Sequence, residues 1–409
     1  MNTRRFKNAA SSLKNEGLLD FSIRSLNYIK KRRSKMTSSP RLKQSISVLA
    51  KYDDVIKTDL SHPFPQWPGT DRKSLRLNWL MPPPGKGSGG HMNIFRFIKY
   101  AEEAGHECRI YLYADGGGGS IDPIYEQMGD SYPKIKAEMS WLNDNLEMAE
   151  ADAIFATSWP TAYASYNAPT NAKRFYFVQD YEPFFFPIGT MHSLAENTYR
   201  FGFYGITAGG WLAQKLHNEY GMQTTAFGFG ADKATYAYTN SKKRKEIFFY
   251  ARPYTERRGF EMGIMALDLF HKKHPDYTIN LAGWDVSDYA IPFPYVNLQT
   301  LEISELSGLY NRCAAGLVMS LTNMSLLPLE LLSCGTIPVV NEGDNNRLVS
   351  DNPYIAYSSN DPISLANALS EAVSKTPSYA KQGAESVPDD LWDTAGKTFV
   401  DTIERETRK

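Results

Sequence analysis

Short apolar runs of strand composition alternate, along most of this chain, with loops that open helical patterns. That alternation is the strongest constraint on its fold. Residues 75–80 form one such run, followed by a Pro- and Gly-rich loop, a helical pattern from His91 to Ala104, and a second run over 108–113. Similar runs occupy 153–156 and 174–178. A second series starts near residue 245, with strands expected at 246–251, 277–282, 315–320 and 337–340. Helices are expected between and after them at 258–273, 303–313, 326–333 and 362–374. Parallel strands need crossover helices, and helices on both faces bury the sheet. Two doubly wound α/β halves, split near residues 235–244, are the simplest architecture. Ligands are then expected at the carboxyl ends of the strands of both halves.

A chain of 409 residues is long enough for two or three cores. No run of about 18 apolar residues occurs, so no membrane-crossing helix is expected. The first residues lack the apolar stretch of a secretory signal. The three cysteines, Cys108, Cys313 and Cys334, are odd in number and not at metal-ligand spacing, which fits a reducing, cytoplasmic setting.

The net charge of zero hides an asymmetry. Residues 1–45 carry twelve Lys/Arg and two acids, a net of +10, so the remainder carries −10. Apolar residues at three-to-four spacing (Phe6, Ala10, Leu13, then Phe21, Leu26, Ile29) suggest a helical segment running into Lys30-Lys31-Arg32-Arg33. This segment could pack on its own domain with a solvated charged face, or lie on an anionic membrane surface. No base-reading motif or aromatic stacking pattern accompanies it, so no nucleic-acid partner is expected.

Gly85-Lys86-Gly87-Ser88-Gly89-Gly90 follows a strand and opens a helix. Backbone N–H groups there can face a phosphate, and the absence of Cβ atoms can admit an acceptor or sugar; a turn alone would also use these glycines. A dinucleotide site would want an acid closer than Asp115, and the loop lacks the Lys-Ser/Thr of a P-loop. In the second half, Arg252 ends a strand and Arg257-Arg258-Gly259 opens the next helix. Two guanidinium groups there can grip a diphosphate, or form a surface pair. Ser325 and Leu326 stand at an expected helix start, whose N–H groups and dipole favour an anion. Glu330, one turn further, can accept two hydrogen bonds from a sugar diol, or merely compensate the dipole.

With these residues in place the second half resembles the donor-binding domain of retaining GT-B glycosyltransferases of family four. The resemblance rests on the arginine-to-basic-glycine segment, on Leu329-Glu330 and on Gly335-Thr336-Ile337-Pro338-Val339-Val340. Gly228-Phe229-Gly230-Ala231-Asp232 resembles the family's interdomain segment. The texture of residues 178–183 and 251–260 is similar to rhamnosyltransferases of bacterial S-layer rhamnan assembly. The resemblance implies a GT-B fold: a basic helical segment 1–45, an acceptor-binding domain 46–240, a nucleotide-sugar-binding domain 241–385, and a tail 386–409 returning to the first domain. It implies transfer of L-rhamnose from dTDP-β-L-rhamnose, with retention, to a lipid-linked oligosaccharide at the inner face of the membrane. Arg252, Arg258, Glu330 and Asp180 are the expected catalytic residues. Ser325, Leu326, Leu327, Thr322 and Gly283 are expected at the donor, and Gly89, Gly90, His91 and Gln179 at the acceptor. No Asp-x-Asp motif is present, so neither a metal nor a cofactor beyond the donor is expected. Thr322 stands where the family often has a glutamate, and Arg258 where it has a lysine. The first departure leaves room for a non-catalytic glycan- or lipid-carrier-binding protein. A dinucleotide-dependent oxidoreductase built on the Gly-rich loop, or a GT-B epimerase, would use other parts of the same architecture.

Overall fold

The computed structural model describes residues 48–85, 87–114 and 117–409. The basic N-terminal segment and Asp115 lie outside the described residues. The chain divides into two compact units. The first holds the described residues up to Ile206 together with Leu216–Thr225 and Gly396–Lys409; the second holds Thr207–Lys215 and Ala226–Ala395.

In the first stretch of chain the order is α1 (Tyr52–Lys57), β1 (Arg76–Met81), α2 (Gly89–Glu103), β2 (Glu107–Leu112), α3 (Asp122–Met128), β3 (Met139–Trp141), β4 (Ala153–Ala156), α4 (Trp159–Asn167), β5 (Lys173–Val178), α5 (Thr190–Asn197), β6 (Tyr204–Ala208), α6 (Gly210–Tyr220) and β7 (Thr224–Phe227). Its sheet runs β3-β2-β1-β4-β5-β6-β7. Register explains the core. Trp79 pairs with Phe155, and Phe155 with Phe175, across parallel strands. The three rings stack at centroid separations of 4.2 and 4.9 Å. Phe97 of α2 and Phe399 near the C-terminus meet edge to face at 5.2 Å, and Phe399 also lies 5.9 Å from Trp79.

The second series is β8 (Glu246–Tyr250), α7 (Phe260–Lys273), β9 (Thr278–Ala282), β10 (Val296–Gln299), α8 (Ile303–Arg312), β11 (Cys313–Val318), α9 (Leu327–Ser333), β12 (Ile337–Asn341), α10 (Asp344–Arg347), β13 (Ala356–Ser358), α11 (Pro362–Ser374), α12 (Pro377–Glu385) and α13 (Leu391–Arg408). Its six strands, ordered β10-β9-β8-β11-β12-β13, are all parallel. Their inward residues, among them Ile247, Phe249, Leu281, Leu317 and Val339, join Phe260, Leu267 and Phe270 of α7 and Leu365 and Leu369 of α11 in one core.

Both strand orders reverse direction once, between β1 and β4 and between β8 and β11. Such a reversal opens a crevice at the carboxyl ends of the flanking strands. Most of α13 counts with the first unit. Trp67 donates its indole N–H to the Thr407 carbonyl at 2.6 Å, and Glu404 lies 3.4 Å from His106. Gly396, within a Gly-Lys-Thr tripeptide that has no P-loop context, is a packing glycine. A Cβ there would stand 2.7 Å from the Tyr100 ring.

Candidate functional site

The second unit's crevice lies where β8 and β11 end. Arg252, half-buried, follows β8 and donates to the Tyr250 hydroxyl at 3.4 Å. Arg257 and Arg258 do not open α7, as the sequence pattern suggested. They close a short 3-10 turn, Glu256–Arg258, and the helix starts only at Phe260. Gly259 makes the join at φ +53°, a left-handed conformation suited to glycine, with the Met319 side chain against it. The turn aims Arg258 at the end of β11, where its Nη1 donates to Ser320 Oγ at 2.6 Å. The Arg257 carbonyl accepts from the Leu321 N–H at 2.9 Å.

Ser320 is fully buried and held by asparagines that sequence reasoning missed. Its N–H donates to Asn341 Oδ1 at 2.7 Å. Its carbonyl accepts from the side-chain amides of Asn341, Asn345 and Asn346 at 2.9, 2.9 and 3.1 Å. Asn345 also donates to the Thr322 carbonyl. Thr322 is buried, so the loop is fixed by its backbone. Asn341 ends β12, and Asn345 and Asn346 lie inside the short helix α10.

Ser325, Leu326 and Leu327 stand at the start of α9, but that start is short. The helix has seven residues, Leu326 is its N-cap, and Pro328 brings no N–H. Glu330 lies half-buried one turn in. The buried Tyr310 hydroxyl is pushed well above its usual pKa, first by burial and then by the charge of Glu330; Tyr250 and Cys334 add to it. Arg252 rests over the Tyr250 ring, 5.6 Å from its centroid. Gly283, at φ +118°, belongs there too, because a Cβ would stand 2.7 Å from the Tyr250 ring. Arg252 and Gly283 thus share the Tyr250 side chain, while Arg258 and Thr322 share the Ser320 loop.

In the first unit the crevice lies at the ends of β1, β4 and β5. Ser88 caps α2, and Gly89 and Gly90 form its first turn. The His91 side chain is not presented to a ligand. It is buried, with Nε2 donating to the Pro82 carbonyl at 3.1 Å and Nδ1 accepting from the Ser88 hydroxyl at 2.9 Å. Burial pushes its pKa down to about 4, against the carbonyl's opposite pull, so the ring is a neutral tie across the loop. Gln179, after β5, donates to the Gly90 carbonyl at 3.0 Å and accepts from Asn93 at 3.1 Å. Asp180 is partly exposed, and its Oδ1 accepts from the Tyr181 N–H at 2.8 Å.

Glu182, two residues on, was not singled out from sequence. Its buried carboxylate accepts from the Trp159 N–H at 2.7 Å, at the start of α4, and from the Tyr176 hydroxyl at 3.2 Å. The Glu182 N–H donates to the Tyr199 hydroxyl at 3.1 Å. These bonds fix the backbone that carries Gln179 and Asp180. Among the described residues, no group of three or more His, Cys, Asp and Glu is placed to hold a metal ion.

Comparison with known proteins fits this geometry. Residues 245–370 match the family model described as WsaF, C-terminal domain. The chain is 34% identical over 329 residues to the O-antigen biosynthesis protein RfbC of Myxococcus xanthus. That match covers 77% of this chain but only 26% of RfbC, so the chain spans about a quarter of its relative. Among solved structures, Anabaena HepE in complex with UDP and glucose superposes with a TM-score of 0.55 at 15% identity, over 81% of this chain and 98% of that one. A variant of Thermobaculum terrenum O-GlcNAc transferase gives 0.56 at 12% identity, over 85% and 70%. The chain has the two-domain GT-B fold and is related to WsaF through residues 245–370.

Proposed function

We propose that the chain is a nucleotide-sugar-dependent glycosyltransferase of bacterial surface-polysaccharide assembly. In this reading it moves L-rhamnose from dTDP-β-L-rhamnose to a lipid-linked oligosaccharide with retention of configuration. The observation that carries the reading is the second unit's crevice. At the sheet's reversal point Arg252 rests on Tyr250 at the end of β8 and Arg258 donates to the buried Ser320 after β11, within the residues that match the WsaF C-terminal domain. The relationship to an O-antigen biosynthesis protein supports the polysaccharide assignment.

The reaction asks for stabilisation of charge more than for a strong base. As the C1–O bond to the diphosphate breaks, negative charge grows on the leaving phosphate. Arg252 and Arg258 would meet it with preorganised donors. The acceptor hydroxyl forms the new C1–O bond on the same face and gives its proton to the departing phosphate. Gln179 and Asp180 would position that acceptor beside Gly89 and Gly90. Ser325, Leu326 and Leu327 would face the donor from the start of α9. Thr322 offers no carboxylate to the sugar, which suits a deoxy sugar with one hydroxyl fewer to hold. Glu330 would bind the nucleotide's sugar. The deoxyribose of dTDP offers it only the 3′-hydroxyl, whereas a ribonucleotide offers a diol. The basic segment 1–45 would hold the enzyme at an anionic membrane surface, near a lipid-linked acceptor.

A thermal-shift panel of dTDP, UDP, GDP and ADP tests the reading. A nucleotide at about 100 times its Kd adds roughly 2.7 kcal/mol of stability. A shift with dTDP above the others is expected, followed by NMR of the product anomer. A shift with no nucleotide would favour the non-catalytic binding protein.

A further inference from the structure

The most exposed large apolar side chain among the described residues is that of Ile188, 94% accessible. It belongs to Pro183-Phe184-Phe185-Phe186-Pro187-Ile188-Gly189-Thr190-Met191, nine residues without a charge. Phe184 is 48% exposed, and Pro187 is exposed. A folding chain normally buries such residues, and a contiguous exposed apolar patch marks a contact surface. The base of the loop is not loose. Glu182 is tied to Trp159 and Tyr199, the Pro183 carbonyl accepts from His192 Nδ1 at 2.9 Å, and Phe186 lies edge to face with Trp159 at 6.2 Å. The tip is therefore held out by a built support.

A second apolar face rides on the same support. Tyr52 and Ile56, four residues apart on α1, are 52% and 61% exposed, and Leu60 just beyond is 49% exposed. Asn167, at the far end of α4, donates to the Asp54 carbonyl at 2.8 Å and to Thr58 Oγ1 at 3.0 Å. Trp159, at the near end, holds the Phe184–Ile188 loop. Nine helical residues separate these ends by roughly 13 Å. Residues 1–45, with their net charge of +10, precede α1 in the chain.

We propose that residues 184–188, with Tyr52, Ile56 and Leu60, dock into the interfacial region of an anionic lipid bilayer. This inference rests on the membrane reading of the basic segment and adds a contact that salt does not screen. Aromatic rings and a proline-bounded aliphatic tip suit the interface, where apolar groups are buried beside the headgroups. The net charge of +10 on the segment that precedes α1 in the chain favours an anionic bilayer over another protein. The adjacent residues Gln179 and Asp180 would then be presented close to the lipid surface.

The full chain carrying Ile188→Cys, labelled with an environment-sensitive fluorophore, provides the test. Cys108, Cys313 and Cys334 are buried, and burial pushes the Cys108 thiol to about 12 and that of Cys334 to about 11, so the introduced thiol reacts selectively. With phosphatidylcholine–phosphatidylglycerol vesicles, a blue-shifted emission quenched by doxyl-labelled lipid is expected at 0.1 M and at 1 M salt, where the screening length falls to about 3 Å. In the unlabelled full chain, Ile188→Ser with Phe184→Ser should lower vesicle partitioning at 1 M salt about tenfold or more, the factor for losing a buried aliphatic side chain. Vesicle binding at low salt with unchanged emission would overturn the loop contact while leaving the basic-segment reading standing. No vesicle binding at either salt would overturn both. A blue shift that follows protein concentration without vesicles would assign the loop to a second copy of the chain instead.

Discussion

At the residue scale, substitutions of Arg252, Arg258 and Glu330 test the proposed division between chemistry and binding. If Arg252 and Arg258 stabilise the leaving group as proposed, Arg252→Ala and Arg258→Ala should each lower single-turnover transfer about a hundredfold or more. Arg257 lends its carbonyl to Leu321, and Arg257→Ala should cost far less. Equal, mild losses at all three would point to a surface cluster. Glu330→Ala should weaken nucleotide binding by roughly tenfold to a hundredfold in calorimetry, the range for a hydrogen bond to a charged group. The loss should be smaller for dTDP than for UDP, because only one hydroxyl is engaged. An unchanged Kd for both would remove Glu330 from the site. His91 gives a pH signature. Its folded pKa of about 4 lies below the usual 6.5, so the unfolded chain takes up the proton first. Stability from this residue is complete above about pH 6.5 and is lost as pH falls toward 4, by at most about 3 kcal/mol. His91→Gln should flatten that part of the melting-temperature profile relative to the native chain.

The elements show what the sequence could and could not convey. Strands buried on both faces, such as residues 174–178, announce themselves as continuous apolar runs, and the structure extends that strand only to Lys173–Val178. Short edge strands such as Met139–Trp141 and Ala356–Ser358 carry three residues and no periodicity, so only their neighbours define them. Arg252, Arg258 and Glu330 stood out as candidates because charged residues beside apolar runs are conspicuous, although Arg258 closes a 3-10 turn and does not open the helix. Ser320 and its asparagines did not, since their role depends on β11 and β12 ending side by side. Likewise His91 has the composition of a ligand-facing residue, and only the Pro82 carbonyl above it makes it a tie. Gly396 tests this dependence on packing. In an isolated helix, Gly→Ala would stabilise by about 1 kcal/mol. Against Tyr100 at 2.7 Å, the added methyl overpacks α13, and Gly396→Ala should instead cost about 1–3 kcal/mol in urea unfolding. A gain in stability would mean that Tyr100 yields freely.

For the whole molecule, charge separation is what the membrane reading rests on. No helix among the described residues is long and apolar enough to cross a membrane. In the proposed membrane reading, attachment comes from surface contacts, and a segment of +10 joined to a remainder of −10 favours one orientation on an anionic leaflet. Each base near such a surface adds about 1 kcal/mol. Replacing Lys30, Lys31, Arg32 and Arg33 by glutamine should therefore weaken co-sedimentation with anionic vesicles by up to about a thousandfold at 0.1 M salt. The difference should shrink at 1 M, because exposed charges are screened beyond about 3 Å. Neutral vesicles should not distinguish the two proteins. If the segment packs on its own domain instead, sedimentation will be equal and any change will be in the melting temperature. Turnover of a soluble acceptor should be the same for both proteins, since the substituted residues lie far in sequence from Arg252, Arg258 and Glu330.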